Sequence, residues 1–359
     1  MRDIGSIFPL SSADLCLEKA LVTTGSESEH RIYYSLCREA LLAVAEKYSE
    51  SEKVVLIPAY TCQTVIEPFV QLDWKIYYYN ITRNLRIDTE HLEQLVKRVR
   101  PTIAIVHPYH GMELNSIELS VLWKIKQTGC VFLEDITQCL YTNNRPIVFD
   151  YFIGSLRKWF KAPDGGFLET SCLNEIQRPV EENVSFVQKQ IDAMYLRSRY
   201  FETNDERLKN ISIRLSKEAV ASVAKGITCH KMSKISLALM ESENEHQSVD
   251  KRYANYNFLF THINERAPGI TFVCKKIEEV TTAPLYFPIY VEKRLELQQR
   301  LATKHVYAPV LWPVSTNALL INDNIKYIYS HILMIPIDQR YDERDMKKIT
   351  SIINSFYEK

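Results

Sequence analysis

Apolar positions in the first half of the chain fall into two alternating kinds of segment. KVVLIP (Lys53–Pro58), TIAIVH (Thr102–His107) and CVFLED (Cys130–Asp135) are short continuous apolar runs, and KIYYYN (Lys75–Asn80) is rich in β-forming residues. Between them lie stretches of helical period. One runs from Thr61 to about Leu72. A second follows Asp88, a candidate cap, with Leu92, Leu95, Val96 and Val99 on one face. A third is opened by Ser116, carries Ile117, Val121, Leu122 and Ile125, and stops at Gly129. Strands that are apolar throughout need cover on both faces, so the alternation predicts a mainly parallel sheet between helical layers, an α/β fold. Ligands of such sheets sit beyond the carboxyl ends of the strands. That rule gathers Pro58–Thr61, His107–His110 and Glu134–Gln138 around one crevice.

From about Asn174 to Glu245 the chain turns polar and helical, with no clear strand. A last block reads differently: TAPLYFPIYV (Thr282–Val291), a helix near Glu292–Thr303, HVYAPVLWP (His305–Pro313), ILMIPI (Ile332–Ile337) and a closing helix from Asp342. These lengths fit a smaller α+β unit. The expected division is residues 1–245 as a large α/β domain and 246–359 as the small one, consistent with two domains in 359 residues.

Composition narrows the field. Lys+Arg and Asp+Glu are 44 each, so the chain has no charge excess to suit nucleic acid or an anionic membrane, and neither is an expected partner. The 46% hydrophobic and 25% charged fractions are those of a globular protein. No stretch approaches the roughly 18 apolar residues of a membrane span, and no apolar run near Met1 has signal-peptide length. The eight cysteines show no CxxC pair, so reduced thiols and a cytoplasmic location are expected, with no metal site. His107 and His110 have metal-like spacing, but no cysteine or carboxylate beside them completes a ligand set.

Chemistry concentrates in three places. EDITQ ends a buried strand with Asp135 and, three residues on, Gln138. About twenty residues later SLRKWFKAPDGGF holds Lys158 and Lys161 before the pair Gly165–Gly166. Upstream, SLCREALLAV (Ser35–Val44) opens a helix whose first N–H groups can hold an anion. A carboxylate, a lysine amine and a phosphate cradle are what pyridoxal phosphate (PLP) needs: an amine for its aldehyde, a carboxylate for its ring nitrogen and a helix terminus for its phosphate.

At these residues the chain resembles the DegT/DnrJ/EryC1/StrS family of sugar aminotransferases. The ordered set SLCREALLAV, VLIPAYTCQTVIEPF, NLRIDTEHLE, VHPYHG, EDITQ, RKWFKAPDGGF, VLWP and LMIPIDQRY covers essentially the full length. The resemblance implies a fold-type I PLP-transferase, with a mostly parallel seven-stranded sheet and a smaller C-terminal domain. It also implies that Asp135 faces the pyridine nitrogen, Gln138 the ring hydroxyl, and Lys158 forms the Schiff base. Lys158 lies seven and eight residues before the glycine pair, as the family lysine does. Lys161 lies only four and five before, which leaves it solvated or beside the phosphate or substrate.

Several positions depart from the family. Ser155 is three residues before Lys158 where the family's phosphate serine is five before, so the loop is short. Cys37 and Arg38 fall in the phosphate turn. Cys62 takes the place of the aromatic that stacks on the ring, leaving Tyr60 or His107 as substitutes. The segment from which a partner subunit contributes an asparagine is GITCHKMS (Gly226–Ser233), where only Thr228 and His230 stand in position. Arg340 reads first as a structural ion pair and second as a carboxylate ligand.

The leading expectation is a biosynthetic PLP-dependent aminotransferase. It moves an amino group from an amino-acid donor to a keto acceptor, a nucleotide-linked keto-sugar by resemblance, in a homodimer with the site at the interface. The alternatives are a different PLP reaction such as a lyase or dehydratase, and a non-catalytic protein of this fold. The family's dehydratases replace the lysine with histidine, so the retained Lys158 counts against that variant.

Overall fold

A computed structural model describes residues 3–16, 30–142, 144–224, 226–274, 277, 282–312 and 322–357. In chain order the elements are α1 (Ser12–Leu15), β1 (Arg31–Tyr34), α2 (Cys37–Lys47), β2 (Val54–Pro58), α3 (Gln63–Gln71), β3 (Lys75–Tyr79), α4 (Thr89–Val99), β4 (Ile103–Val106), α5 (Ser116–Lys126), β5 (Val131–Asp135), β6 (Tyr151–Ser155) and β7 (Gly166–Glu169). There follow α6 (Val184–Thr203), α7 (Glu206–Ser222), α8 (Lys234–Glu241), α9 (Glu245–His262), β8 (Ile270–Phe272), β9 (Tyr286–Val291), α10 (Arg294–Ala302), α11 (Asp323–His331), β10 (Ile332–Pro336) and α12 (Glu343–Tyr357).

The first seven strands form one sheet in the order β1-β7-β6-β5-β4-β2-β3. Strands β2 to β6 pair in parallel, and β7 runs antiparallel to both of its neighbours. Its strands are apolar in consecutive positions because both faces are covered. Val55 and Ile57 turn toward one core, shared with Leu41 and Val44 of α2 and Ile66 and Phe69 of α3. Leu56 between them turns to the other, with Leu92 of α4 and Leu122 of α5. That second core continues into a three-stranded antiparallel sheet, β10-β9-β8, through Ile289, Leu333 and Ile335.

Most predicted elements form within a residue or two of their predicted bounds, and three expectations change. The helix after β4 is capped by Asn115 rather than Ser116: the Asn115 side chain accepts the N–H groups of Ile117 and Glu118, and Glu118 answers the Asn115 N–H. Asp88 caps α4 as expected. HVYAPVLWP does not form a strand among its described residues; Val306 makes one isolated bridge to Ile4, and Pro313 lies outside the described residues. Strands β1, β6 and β7, which the hydrophobic pattern does not announce, complete the sheet on the side that carries Lys158.

The glycine pair has a geometric cause. Gly165 sits at φ 135°, in the region that a side chain opposes, as the chain enters β7. A Cβ on Gly166 would stand 2.4 Å from the Cys37 backbone nitrogen. Only glycine lets β7 pass this close to the first turn of α2, and the passage fixes that turn beside the end of β6.

Candidate active site

Beyond the carboxyl ends of β4, β5 and β6 lies a cavity of about 220 Å³, closed on one side by the first turns of α2 and α3. Asp135, the last residue of β5, is buried with its carboxylate toward this space. One of its oxygens accepts the Thr137 N–H at 3.0 Å. The other lies 3.5 Å from His107 Nδ1. His107 directly follows β4, and its Nε2 is 2.8 Å from the Thr61 hydroxyl. Burial pulls the imidazole pKa down, against the smaller opposing pull of Asp135. A neutral ring with its proton on Nδ1 accepts from Thr61 at Nε2 and turns its N–H toward the Asp135 carboxylate.

Lys158 closes a single 3-10 turn, Leu156–Lys158, that follows β6 directly. It is exposed and reaches the cavity, and no carboxylate pairs with it among the described residues. Its neighbour Trp159 is wholly buried: its indole N–H donates to the Thr137 carbonyl at 2.7 Å, and its own carbonyl accepts from Gln339 at 2.7 Å. Lys161, three residues on, points elsewhere and pairs with Asp14 at 2.6 Å. The cavity thus separates the two lysines as the glycine spacing does.

The start of α2 borders the same cavity. Its cap position, Leu36, offers no side-chain hydrogen bond, so the terminal N–H groups of the helix are not capped from that side. Cys37, Arg38 and Ser155 line the cavity there. Arg38 is not a loose charge, because its Nη1 pairs with Glu67 at 2.6 Å. Burial pushes the Cys37 thiol well above its usual range, so it stands as a neutral thiol. Cys62 and Gln138 also line the space. Gln138 is buried, with its side-chain oxygen taking the His110 N–H at 3.1 Å.

Of the residues expected at the site from the sequence, Tyr60 alone falls outside the cavity lining. Its ring is fully buried, 4.6 Å from Trp312 and 5.1 Å from Tyr329. It is core to the aromatic cluster behind the wall, and Trp312 takes the cavity side in its place. Arg340 holds Asp338 at 2.7 Å and the carbonyls of Ser6 and Ile7, which is the structural pairing. In GITCHKMS, the His230 N–H donates to Glu39 at 2.9 Å and its carbonyl receives the Ser35 N–H, so this segment is strapped to its own α2. Glu39 is buried, and burial pushes its carboxyl up to about 8.

Two residues that sequence reasoning passed over bind the site together. Thr137 gives its N–H to Asp135, its hydroxyl oxygen to the Ser155 N–H at 3.0 Å and its carbonyl to Trp159. Its place inside EDITQ, between the two chosen residues, was the available signal. Arg157 lines the same cavity with its guanidinium over the Phe186 ring at 5.8 Å. An arginine beside a surface-looking lysine gave no signal.

No family model and no curated protein matches the chain. Many solved structures do match. PseC from Helicobacter pylori, an aminotransferase involved in the biosynthesis of pseudoaminic acid, is 13% identical with a TM-score of 0.67, over 99% of this chain and 100% of that one. Spr1654 from Streptococcus pneumoniae, in its PLP-form, is 13% identical with a TM-score of 0.70, over 99% of each chain. The sugar aminotransferase CalS13 from Micromonospora echinospora is 13% identical with a TM-score of 0.64, over 98% and 93%. The fold is therefore that of these aminotransferases, fold type I of the PLP-dependent enzymes, with its mostly parallel seven-stranded sheet.

Proposed function

We propose that the protein is a PLP-dependent aminotransferase that moves an amino group from an amino-acid donor to a keto acceptor, a nucleotide-linked keto-sugar. The observation that carries this reading is one cavity holding the Asp135 carboxylate, the Lys158 amine and the uncapped start of α2. Those donors suit pyridoxal phosphate: an acceptor for a ring N–H, an amine for an aldehyde, and N–H dipoles with Arg38 and Ser155 for a phosphate. When bound, the cofactor supplies an aldehyde that captures amines and a ring that draws electrons from the adjoining carbon.

The chain's own groups do the rest. Asp135 keeps a proton on the ring nitrogen, and the neutral His107 holds that carboxylate from behind. Lys158 would hold the cofactor's aldehyde and, with its amine free, would carry a proton at Nζ to and from the substrate. Gln138 would meet the ring hydroxyl, and Cys62 and His107 line the same cavity. PseC and CalS13, neighbours of similar fold, are aminotransferases by name, CalS13 a sugar aminotransferase, and this supports the acceptor class. The proposal keeps the division at residues 245 and 246, a homodimer with the site at its interface and a cytoplasmic setting, to which eight free thiols are suited.

Purified protein should turn yellow with pyridoxal phosphate, and borohydride should fix the cofactor on Lys158, read by peptide mass. A colourless protein, or label on Lys161 instead, would sink the reading. Conversion of the bound cofactor to its amine form by L-glutamate or L-glutamine separates an aminotransferase from a lyase.

A further inference from the structure

The cavity of the candidate site is short of negative charge. Arg38, Arg157 and Lys158 line it, and Asp135 is the one carboxylate in its wall among the described residues. Asp135 already takes the Thr137 N–H at 3.0 Å and faces His107 at 3.5 Å. Arg38 has its own match, since its Nη1 meets Glu67 at 2.6 Å. Lys158 is kept for an aldehyde by the proposed reaction. Arg157 is the charge left over. It makes no ion pair and no hydrogen bond among the described residues, and its Cζ lies over the Phe186 ring, 5.8 Å from the centroid. Desolvation and the neighbouring Arg38 charge pull its pKa down, against the weaker pull of Asp164. An anion beside it would relieve both.

The place of Arg157 is fixed by the backbone. It is the middle residue of the turn Leu156–Lys158. Before the turn, the Ser155 N–H donates to the Thr137 hydroxyl at 3.0 Å; after it, Trp159 is held through its indole and its carbonyl. Arg157 and Lys158 are therefore consecutive side chains of one held turn, and both reach the cavity. The first turn of α2 brings to the same wall N–H groups that the Leu36 side chain does not cap. GITCHKMS, bonded to Glu39 and Ser35, adds no residue to that wall. Positive groups from two elements, with one guanidinium unmatched, suit an anion of more than one charge. A phosphate dianion can accept from the guanidinium fork and from helix N–H groups at once.

We propose that Arg157 is the cation that binds the cofactor's phosphate in this protein, together with the first N–H groups of α2, and that Arg38, matched by Glu67, has the lesser share. The residue before the reactive lysine thus holds one end of the cofactor while the lysine holds the other. The two contacts issue from one rigid turn, so the distance between them is set before the cofactor arrives. This inference rests on the aminotransferase reading, and its test keeps the two apart.

Wild-type protein is titrated with pyridoxal phosphate and with pyridoxal, which carries the aldehyde without the phosphate. If it binds neither, the enzyme reading itself falls; if it binds both equally, this inference falls alone. The phosphate should favour binding by roughly a hundredfold or more. Arg157→Gln should cut that ratio by roughly tenfold or more and leave pyridoxal within about twofold of wild type. Arg157→Lys should recover part of the loss, and Arg38→Gln should cut the ratio less than Arg157→Gln does. Phosphorus NMR reads the contact directly. A phosphate monoester gains its second charge at about pH 6, and a guanidinium beside it favours the dianion. At pH 6 the loaded wild-type protein should therefore show the dianion, and Arg157→Gln should move the signal toward the monoanion. If Arg157→Gln does not fold, Arg157→Lys decides by the same ratio, which should fall by about threefold or more. The proposal is overturned if the substitution leaves the ratio or the phosphorus signal unchanged, if it weakens both aldehydes equally, or if Arg38→Gln has the larger effect.

Discussion

Two buried aspartates of this chain are treated in opposite ways. Asp3, whose side chain has no exposure, is met by Arg197 and Lys209 at 3.3 Å each, by His305 at 3.0 Å and by the Tyr200 hydroxyl at 3.5 Å. It pins the N-terminal segment to α6 and α7 and to the turn after α10. Asp135 has one backbone N–H and one neutral imidazole, while the nearest uncommitted cation, Lys158, faces the same cavity without pairing to it. A charge that only holds the fold together is saturated by partners. Asp135 is left with capacity, as the proposed cofactor contact would require.

Removing a group from each region breaks the comparison where it is strongest. Lys158→Ala should lower turnover by about a thousandfold or more while leaving the melting temperature close to wild type, since the amine has no ion pair or hydrogen bond among the described residues. A large fall in melting temperature would place Lys158 with the structural charges. Asp3→Ala should do the reverse. Leaving Arg197 buried without its carboxylate costs on the order of 3–5 kcal/mol, read by denaturant unfolding, with cofactor affinity of the folded protein unchanged.

Buried carboxyls without a strong cation sharpen the contrast as a third case. Burial pushes Glu39, in the first turn of α2, and Glu134, beside Asp135, up to about 8 from 4.5. Each ionises less readily in the fold than in the open chain. Stability is therefore greatest below pH 4.5 for these two groups and falls as pH rises toward about 8, by up to about 1.4 kcal/mol per unit for each. Glu39→Gln should flatten the decline in melting temperature across that window; an unchanged slope would refute it. The smallest effect belongs to Lys161→Ala. Its pair with Asp14 is a third exposed on the lysine side and should contribute under about 1 kcal/mol, with the yellow colour retained.

Strands β2, β4 and β5 were legible as unbroken apolar runs and β3 by its β-forming residues, and the strand-end rule then gathered His107, Asp135 and Gln138. Lys158 was legible only through its distance from Gly165–Gly166, which the structure traces to the close pass of β7 by Cys37. Strand β7 itself was not, because GFLE is four residues long, ends in a charge and borrows its pairing from β1 and β6. Tyr60 was misjudged for a related reason. Sequence places it beside the crevice, but the direction of its ring depends on Trp312 and Tyr329, more than 200 residues away. Arg157 carries no local pattern, and only the turn after β6 brings it to the cavity wall.

The locked Trp159 has a kinetic meaning. With its backbone and indole both held, the turn before it is a fixed post, and Lys158 can move only by rotating its own four-carbon arm. In the proposed reaction, an amine so tethered would act at an effective molarity that free amines in solution do not approach, commonly on the order of 10⁵ M or more for well-oriented groups. A small amine added to a lysine-less variant would thus restore only a trace of the rate. What the post contributes is the lysine's constant nearness.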